Sequence, residues 1–215
     1  MHRGGGPSNR VWRGLEPSGA GQGVGIQRRY VDGVETRAGL VAGFVRDIPD
    51  FPTPGVVFKD ITPLLGDASA FAEVVDGLAD GFAHQGIDQV VGIEARGFIL
   101  AAPVAYRLRA GFVPVRKAGK LPSAVEGQSY ALEYGSDVLE IHADAIRPDA
   151  RVLIVDDVLA TGGTAAATTR LVERLEAQVV GLAFVIELGF LAGRSQLGGE
   201  RVVSLATYND AVGAP

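Results

Sequence analysis

The amino-acid sequence predicts an α/β domain in which a mostly parallel central sheet is flanked by helices. Short apolar runs typical of buried strands alternate along the chain with longer segments that have the periodicity of amphipathic helices. Of the 215 residues, 47% are hydrophobic and 21% are charged, which is the composition of a folded domain with one core. Ligands bind such sheets at the carboxyl ends of the strands.

The predicted elements place the connecting loops. Strands are expected at residues 89–93, 111–115, 151–155, 179–186 and 201–205. Helices are expected at residues 34–48, 71–86, 98–109, with an early break at Pro103, and 164–178. The alternating segments 130–134 and 138–142 flank Gly135-Ser136-Asp137, which predicts a hairpin at the sheet edge. The polar stretch 116–129 predicts a mobile loop.

Two units of unequal character are expected along the chain. Residues 1–33 are rich in glycine and lack apolar periodicity, which predicts a disordered leader or a mis-assigned start. A single domain is expected at residues 34–215. The leader has no continuous apolar core, and the longest apolar stretch, 97–106, is too short to span a bilayer. We therefore expect a cytoplasmic protein without a membrane partner.

Composition also excludes several classes of function. The net charge of −5 gives no overall attraction for nucleic acid, so any phosphate must be bound locally. The chain contains no cysteine, which excludes disulfides, thiolate catalysis and thiolate zinc sites. The three histidines fall outside every motif described below.

The most informative segment is 152–164, where an apolar strand runs into a polar, glycine-containing turn and then a helix. Successive N–H groups around Gly162 and Gly163, together with the dipole of the following helix, favour a phosphate. Thr161 and Thr164 can donate hydrogen bonds from their hydroxyls. The segment lacks the Gly-Lys-Ser/Thr of a P-loop.

Asp156 and Asp157 stand at the end of this strand. We expect them to leave the strand on opposite sides, where they can accept hydrogen bonds from vicinal sugar hydroxyls or hold a hydrated Mg²⁺. A plain strand-to-helix turn, with an aspartate as cap, is the structural alternative. The whole combination favours a sugar phosphate.

Segment 152–164 resembles the phosphoribosyl pyrophosphate (PRPP) sequence of type I phosphoribosyltransferases. Three further stretches, 51–61, 94–98 and 116–122, resemble the adenine phosphoribosyltransferases in particular, as does Leu132-Glu133-Tyr134-Gly135. Together the resemblance extends over nearly everything from residue 45 to residue 205. It implies the type I phosphoribosyltransferase fold, with a small hood and a flexible loop or hairpin. It also implies purine salvage, in which adenine attacks PRPP to give AMP and pyrophosphate.

The resemblance assigns roles to the site residues. The PRPP ribose and 5′-phosphate are assigned to Asp156, Asp157, Ala160, Thr161, Gly162, Gly163 and Thr164. Pyrophosphate is assigned to Glu94, Ala95, Arg96, Arg116, Lys117 and Lys120, with Mg²⁺ held mainly by PRPP and water. A non-proline cis peptide bond is implied at Glu94-Ala95. Arg96, Lys117 and Lys120 are thereby expected to be catalytic. A homodimer is implied too, in which Arg116 serves the neighbouring subunit's site.

Adenine recognition is assigned by the resemblance to Val57, Phe58, Lys59 and Leu159. Phe58 and Leu159 are expected against the two faces of the purine, and the main chain of Val57 against its edge. Lys59 stands where many relatives have arginine, and it cannot reproduce a planar two-pronged contact.

Glu133 is the candidate for proton handling at the base, and Tyr134 for positioning the closed loop. An exposed strand carboxylate beside a half-buried aromatic residue is the alternative for this pair. At the level of the whole chain, two other functions remain open. One is a phosphoribosyltransferase for xanthine, hypoxanthine or orotate, and the other is a non-catalytic regulator that senses PRPP.

Overall fold

The computed structural model describes residues 30–31, 34–132 and 135–210. A seven-stranded sheet forms the centre of the described chain. Its strands are β5 (Gln89–Ile93), β6 (Gly111–Lys117), β7 (Val125–Leu132), β8 (Gly135–His142), β9 (Arg151–Leu159), β10 (Gln178–Leu188) and β11 (Val202–Tyr208). Their order across the sheet is β11-β10-β9-β5-β6-β8-β7. Strands β11, β10, β9, β5 and β6 are parallel, while β8 and β7 form an antiparallel hairpin at the edge. The predicted mostly parallel sheet is therefore confirmed, as is the hairpin at its edge.

Helices cover both faces of the sheet. Their bounds are α1 (Arg37–Phe44), α2 (Thr62–Gly66), α3 (Ala68–Asp80), α4 (Arg96–Leu108) and α5 (Gly163–Arg174). Because side chains alternate along a strand, Leu153 and Val155 pack into one core with α3 and α4, whereas Val152 and Ile154 pack into a second core with α5. The Asp67 carboxylate caps α3 by accepting hydrogen bonds from two backbone N–H groups, at 3.0 and 2.9 Å.

A small antiparallel sheet, β3 (Arg46–Pro49) and β4 (Val57–Asp60), lies outside the main sheet. The predicted helix at 34–48 is confirmed only over Arg37–Phe44. Its start is wrong because Val34–Glu35 is a strand, and its end is wrong because the chain becomes extended at Val45 and continues as β3. Ile48 precedes Pro49, and a residue before a proline disfavours the helical conformation. Pairing with β4 supplies hydrogen-bond partners for the backbone of β3. Tyr30–Val31, inside the predicted leader, forms the short strand β1 and pairs with β2 (Val34–Glu35). The rest of the predicted leader lies outside the described residues.

Three other boundaries differ from the prediction. The segment Gly135-Ser136-Asp137 is not a turn but the start of β8, where Asp137 pairs with Lys117 of β6 at 3.0 Å. The predicted loop 116–129 shrinks to residues 118–124, because β6 and β7 extend into it. Strand β9 continues through the predicted loop as far as Leu159, because β10 pairs with it over that length.

Two helices also differ from the prediction at their ends or interior. Pro103 lies inside α4 without breaking it, although it leaves the carbonyl of Ile99, a partly exposed residue, without its helical donor. Helix α3 ends at Asp80, before the predicted end at residue 86. Helix α5 ends at Arg174, before the predicted end at residue 178, and strand β10 begins at Gln178. Within the described residues, no helix combines the length and the apolar character that crossing a bilayer requires.

Candidate active site

A cavity of about 720 Å³ opens at the carboxyl ends of β5, β9 and β10, beside the small β3–β4 sheet. This is the sheet edge at which the sequence predicts a ligand. Fifteen of the predicted site residues line the cavity, namely Val57, Phe58, Lys59, Glu94, Ala95, Arg96, Lys117, Asp156, Asp157, Leu159, Ala160, Thr161, Gly162, Gly163 and Thr164. Arg116 and Lys120 lie next to it without lining it. Glu133 and Tyr134 lie outside the described residues.

The turn from β9 into α5 forms one wall of the cavity. Gly162 adopts a left-handed conformation, with φ of 85°, at the cap position of α5, and no side chain caps the first turn of that helix. The N–H groups of this first turn are therefore available to an anion, and the positive end of the helix dipole adds to their attraction. Thr161 and Thr164 line the cavity at the same place, where their hydroxyls can donate.

The two aspartates at the end of β9 have different partners. The Asp156 carboxylate accepts a hydrogen bond from the backbone N–H of Asp157 at 2.9 Å. Burial, followed by the nearby charge of Asp157, raises the pKa of Asp156 well above its ordinary value. The Asp157 side chain is only 7% exposed and forms an ion pair with Nε of Arg96 at 2.5 Å.

On the other side of the cavity, aromatic and apolar side chains form a slot. The guanidinium of Arg96 lies 5.0 Å from the centroid of the Phe58 ring, and the Phe51 ring packs edge-on against Phe58. Leu159, at the end of β9, also lines the cavity, although its side chain is almost fully buried. Phe58 and Leu159 together offer the cavity an apolar surface that suits a planar ligand.

Lys59 also lines the cavity, but its ammonium group contacts protein atoms on another side. Its side chain is almost fully buried and forms an ion pair with Asp47 at 2.8 Å. The ammonium also lies 4.2 Å from the centroid of the Tyr208 ring. These contacts fix Lys59 as part of the β3–β4 wall.

Glu94 is the centre of a cluster of cations at the end of β5. Its carboxylate accepts hydrogen bonds from Arg116 Nε at 3.2 Å, from the Lys117 backbone N–H at 3.1 Å, and from the Lys120 ammonium. Burial alone would raise the pKa of Glu94, but the bonds from Lys120, Lys117 and Arg116 outweigh it and lower that pKa. The peptide bond between Glu94 and Ala95 is cis, as predicted.

The ammonium group of Lys117 is paired with a carboxylate other than that of Glu94. The Lys117 ammonium pairs with Asp137 at 3.0 Å, and this contact raises the pKa of Lys117 and lowers that of Asp137. Each predicted pyrophosphate cation is therefore bound to an internal carboxylate in this structure. A polyanionic ligand would have to replace those partners.

Several cavity residues escaped the sequence analysis. Apolar side chains from β7, β8, β10 and the turn after β10 complete the walls, namely Tyr130, Leu139, Phe184, Leu188 and Leu191, together with Val56, Val158 and Ala165. The position of β10 beside β9 could have indicated Leu188, since neighbouring parallel strands end at the same edge. Nothing local in the sequence marks Tyr130 or Leu191.

The carboxylates present fit a weakly held magnesium ion. Among the described residues, no group of three or more acidic or histidine side chains comes close enough to form a metal site. Three carboxylates line the cavity, and Glu94 is bound to Arg116, Lys117 and Lys120. Asp156 and Asp157 are therefore the pair best placed for a metal, and Mg²⁺ in proteins commonly binds one or two carboxylates plus substrate phosphates and water. The donor set therefore suits Mg²⁺ that arrives with a phosphorylated substrate.

The fold and the cavity define a phosphoribosyltransferase. The family profile described as the phosphoribosyl transferase domain matches residues 65–198. Adenine phosphoribosyltransferase of Acidothermus cellulolyticus is 61% identical over 166 residues, which are 77% of this chain and 94% of the relative. The chain therefore belongs to the adenine phosphoribosyltransferase family.

Solved structures of relatives agree with this assignment. The crystal structure of adenine phosphoribosyltransferase from Rhodothermus marinus superposes with a TM-score of 0.77 at 51% identity, covering 80% of this chain and 98% of that one. The enzyme from Saccharomyces cerevisiae, complexed with D-2,5-dideoxy-2,5-imino-altritol 1,6-bisphosphate and adenine, gives a TM-score of 0.75 at 43% identity, covering 79% of this chain and 98% of that one.

Proposed function

We propose that this chain transfers the phosphoribosyl group of PRPP to adenine, releasing pyrophosphate and forming AMP in purine salvage. The observation that carries the proposal is the single cavity that joins the β9–α5 turn, the paired aspartates and the Phe58–Leu159 slot. A phosphate site, a sugar-diol site and a planar slot in that order match the parts of AMP. The similarity to adenine phosphoribosyltransferases supports adenine as the acceptor base.

In this proposal, the β9–α5 turn binds the 5′-phosphate end of PRPP. The N–H groups of residues 162–164 and the hydroxyls of Thr161 and Thr164 hold its 5′-phosphate at the positive end of α5. Asp156 and Asp157 accept hydrogen bonds from the ribose 2′- and 3′-hydroxyls. The anomeric carbon then lies between the β9–α5 turn, which we call the phosphate turn, and the slot formed by Phe58 and Leu159.

Adenine binds between Phe58 and Leu159, with the main chain of Val57 at its edge. Its N9 attacks the anomeric carbon, the bond from that carbon to the pyrophosphate oxygen breaks, and the N9 proton leaves. Glu133, which lies outside the described residues, is the proposed acceptor of that proton, with Tyr134 positioning the loop. Lys59 supports the slot through its contacts with Asp47 and Tyr208 rather than through the base.

Departing pyrophosphate needs positive charge and N–H donors. The backbone of the Glu94–Ala95 loop and the side chain of Arg96 supply them inside the cavity, and Arg116, Lys117 and Lys120 supply further charge at its rim. Mg²⁺, held mainly by PRPP and water with Asp156 and Asp157 as its protein ligands, would neutralise part of the pyrophosphate charge.

We also propose that the enzyme is a cytoplasmic homodimer. An exposed apolar stripe on α4, comprising Ile99, Ala102 and Tyr106, supports the dimer, since these residues recur on one helix face. In the dimer, Arg116 is proposed to leave its own Glu94 and to reach the rim of the neighbouring subunit's site. The absence of cysteine suits a reducing compartment. Fractionation of the source cells tests the compartment.

A panel assay tests the function. Purified protein with PRPP and Mg²⁺ is offered adenine, hypoxanthine, xanthine or orotate, and pyrophosphate release is measured. We expect release with adenine and a loss of rate when Mg²⁺ is chelated. Release with another base alone would make the adenine assignment wrong, and binding of PRPP without release for any base would favour a PRPP sensor.

A further inference from the structure

The chain segment that follows β10 packs against the back of the phosphate turn. Two short 3₁₀ helices, Gly189–Leu191 and Gly193–Gln196, lead from β10 towards β11. A methyl group added to Gly193 would lie 2.0 Å from the Ala160 carbonyl oxygen. One added to Gly162 would lie 2.3 Å from the Gly193 carbonyl oxygen. The two backbones therefore touch, and the position of Gly193 limits the shape that the phosphate turn can take.

The residue after Gly193 is tied firmly to the sheet. The Arg194 guanidinium donates to both oxygens of Glu187, at 2.9 and 2.5 Å, and to the Val202 carbonyl at 3.0 Å. Glu187, near the end of β10, is only 9% exposed, and Ser204 of β11 donates a further hydrogen bond to it at 2.8 Å. The Arg194 hydrogen bonds, with that of Ser204, lower the pKa of Glu187, so the carboxylate stays ionised at neutral pH.

This geometry differs from that of an ordinary surface ion pair. A planar guanidinium that meets a carboxylate through two parallel bonds fixes direction as well as distance. Because Arg194 directly follows Gly193, the direction of the side chain also fixes the backbone that contacts Ala160 and Gly162. No motif of the sequence analysis includes Glu187, Gly193 or Arg194.

We propose that Glu187 and Arg194 are positioning residues, which hold Gly193 against the β9–α5 turn and thereby set the affinity of the enzyme for the 5′-phosphate of its ribose substrate. The proposal deepens the proposed function and rests on it, because it concerns the same phosphate site. Neither side chain contacts the substrate. Their effect passes through backbone contact alone.

A stabilising role without positioning makes a different prediction. Loss of an ion pair that merely supports the fold would lower the melting temperature and leave the Michaelis constants unchanged. Loss of a positioning pair raises the KM of PRPP and the Kd of ribose 5-phosphate, while the KM of adenine and kcat at saturating PRPP change little. The split between the two Michaelis constants separates the roles.

Arg194→Lys removes the two-pronged contact and keeps the charge. Arg151→Lys is the matched control, because Arg151 donates similarly to the Gln85 carbonyl and to Gln178, at the opposite end of the sheet. We expect Arg194→Lys to weaken ribose 5-phosphate binding, measured by calorimetry, and to raise the KM of PRPP, each by about tenfold or more, since small misplacements in a site have effects of that order. Arg151→Lys leaves both values unchanged.

Gly193→Ala is the second variant, because it disturbs the same contact without touching the ion pair. It is expected to weaken ribose 5-phosphate binding at least as much as Arg194→Lys does. If wild-type protein binds ribose 5-phosphate and both variants bind it equally well, the positioning role is wrong. If wild-type protein itself does not bind ribose 5-phosphate, the proposed function fails, and the positioning role fails with it.

Discussion

Asp156 is a single residue of the candidate active site whose ionised side chain lowers the stability of the folded protein. Burial and the charge of Asp157 raise its pKa, which means that the folded protein disfavours the ionised carboxylate. The folded state therefore binds this proton more tightly than the unfolded state does. The contribution of Asp156 to the free energy of unfolding is greatest below the ordinary pKa of an aspartate. It declines as the pH rises towards the raised pKa of the folded state. The proposed binding of a ribose diol uses the ionised form, which the fold disfavours.

Asp156→Asn is therefore expected to separate stability from function. At pH 7 the variant should be more stable by about 1 kcal/mol, as removal of functional strain commonly gives, because asparagine carries no charge to bury. Its kcat/KM for PRPP should fall by about a hundredfold or more, since the proposed hydrogen bond from the ribose hydroxyl loses its charged acceptor. Denaturant unfolding and steady-state kinetics measure the two effects.

Asp157→Asn supplies the contrast for that experiment. Asp157 pairs with Arg96, so its replacement leaves a guanidinium without its carboxylate and should lower stability. The conclusion that ionised Asp156 costs stability would be contradicted if both variants lost stability equally. It would also be contradicted if Asp156→Asn kept full activity with PRPP.

At the scale of the elements, Asp60 joins three of them at one wall of the cavity. Its carboxylate lies at the end of β4, accepts hydrogen bonds from Thr62 at the start of α2, and accepts two more from Arg46 of β3, the shorter at 2.6 Å. Hydrogen bonds from Thr62, then from Arg46, lower the pKa of Asp60 to about 2. Such a carboxylate stabilises the fold above its ordinary pKa, and that contribution is lost as the pH falls towards 2.

Asp60→Asn should destabilise the protein by about 1 kcal/mol at pH 7, a figure that allows for solvent screening of the exposed Arg46. The difference from wild type should shrink as the pH falls from 4 to about 2, because wild-type Asp60 then becomes protonated. Urea unfolding at several pH values measures this. Asp144→Asn, at an exposed position, is the control; a difference that stays constant with pH would contradict the assignment.

The same scale shows how far the sequence predicts the site. The segment 152–164 is informative because its apolar strand, paired acids and glycine turn are adjacent in the chain, so that local chemistry determines their roles. Strand β3 was not predicted, since its extended form depends on pairing with β4 rather than on local periodicity. Gly193 and Arg194 were missed for the same reason: only tertiary packing brings them to the phosphate turn.

At the scale of the whole molecule, one face of the described chain lacks a partner. Ile99 and Tyr106 are 46% and 87% exposed, and with Ala102 they form the apolar stripe on α4. Phe112, at the start of β6, is also exposed and packs edge-on against Phe98. A contiguous apolar surface of this kind commonly marks a protein interface. Because α4 begins at Arg96 in the cavity, a second copy docked here would lie next to the active site.

Tyr106→Glu tests whether this stripe is the homodimer interface. Because Tyr106 is almost fully exposed in the single chain, its replacement should change the stability of an isolated subunit by no more than about 0.5 kcal/mol. Placed in an apolar interface, however, an unpaired carboxylate on each subunit opposes association. We expect sedimentation to give twice the chain mass for wild type and the chain mass for Tyr106→Glu. Arg170→Glu, exposed on α5 across the sheet, should remain dimeric; a monomeric wild type or a dimeric Tyr106→Glu would make the interface assignment wrong.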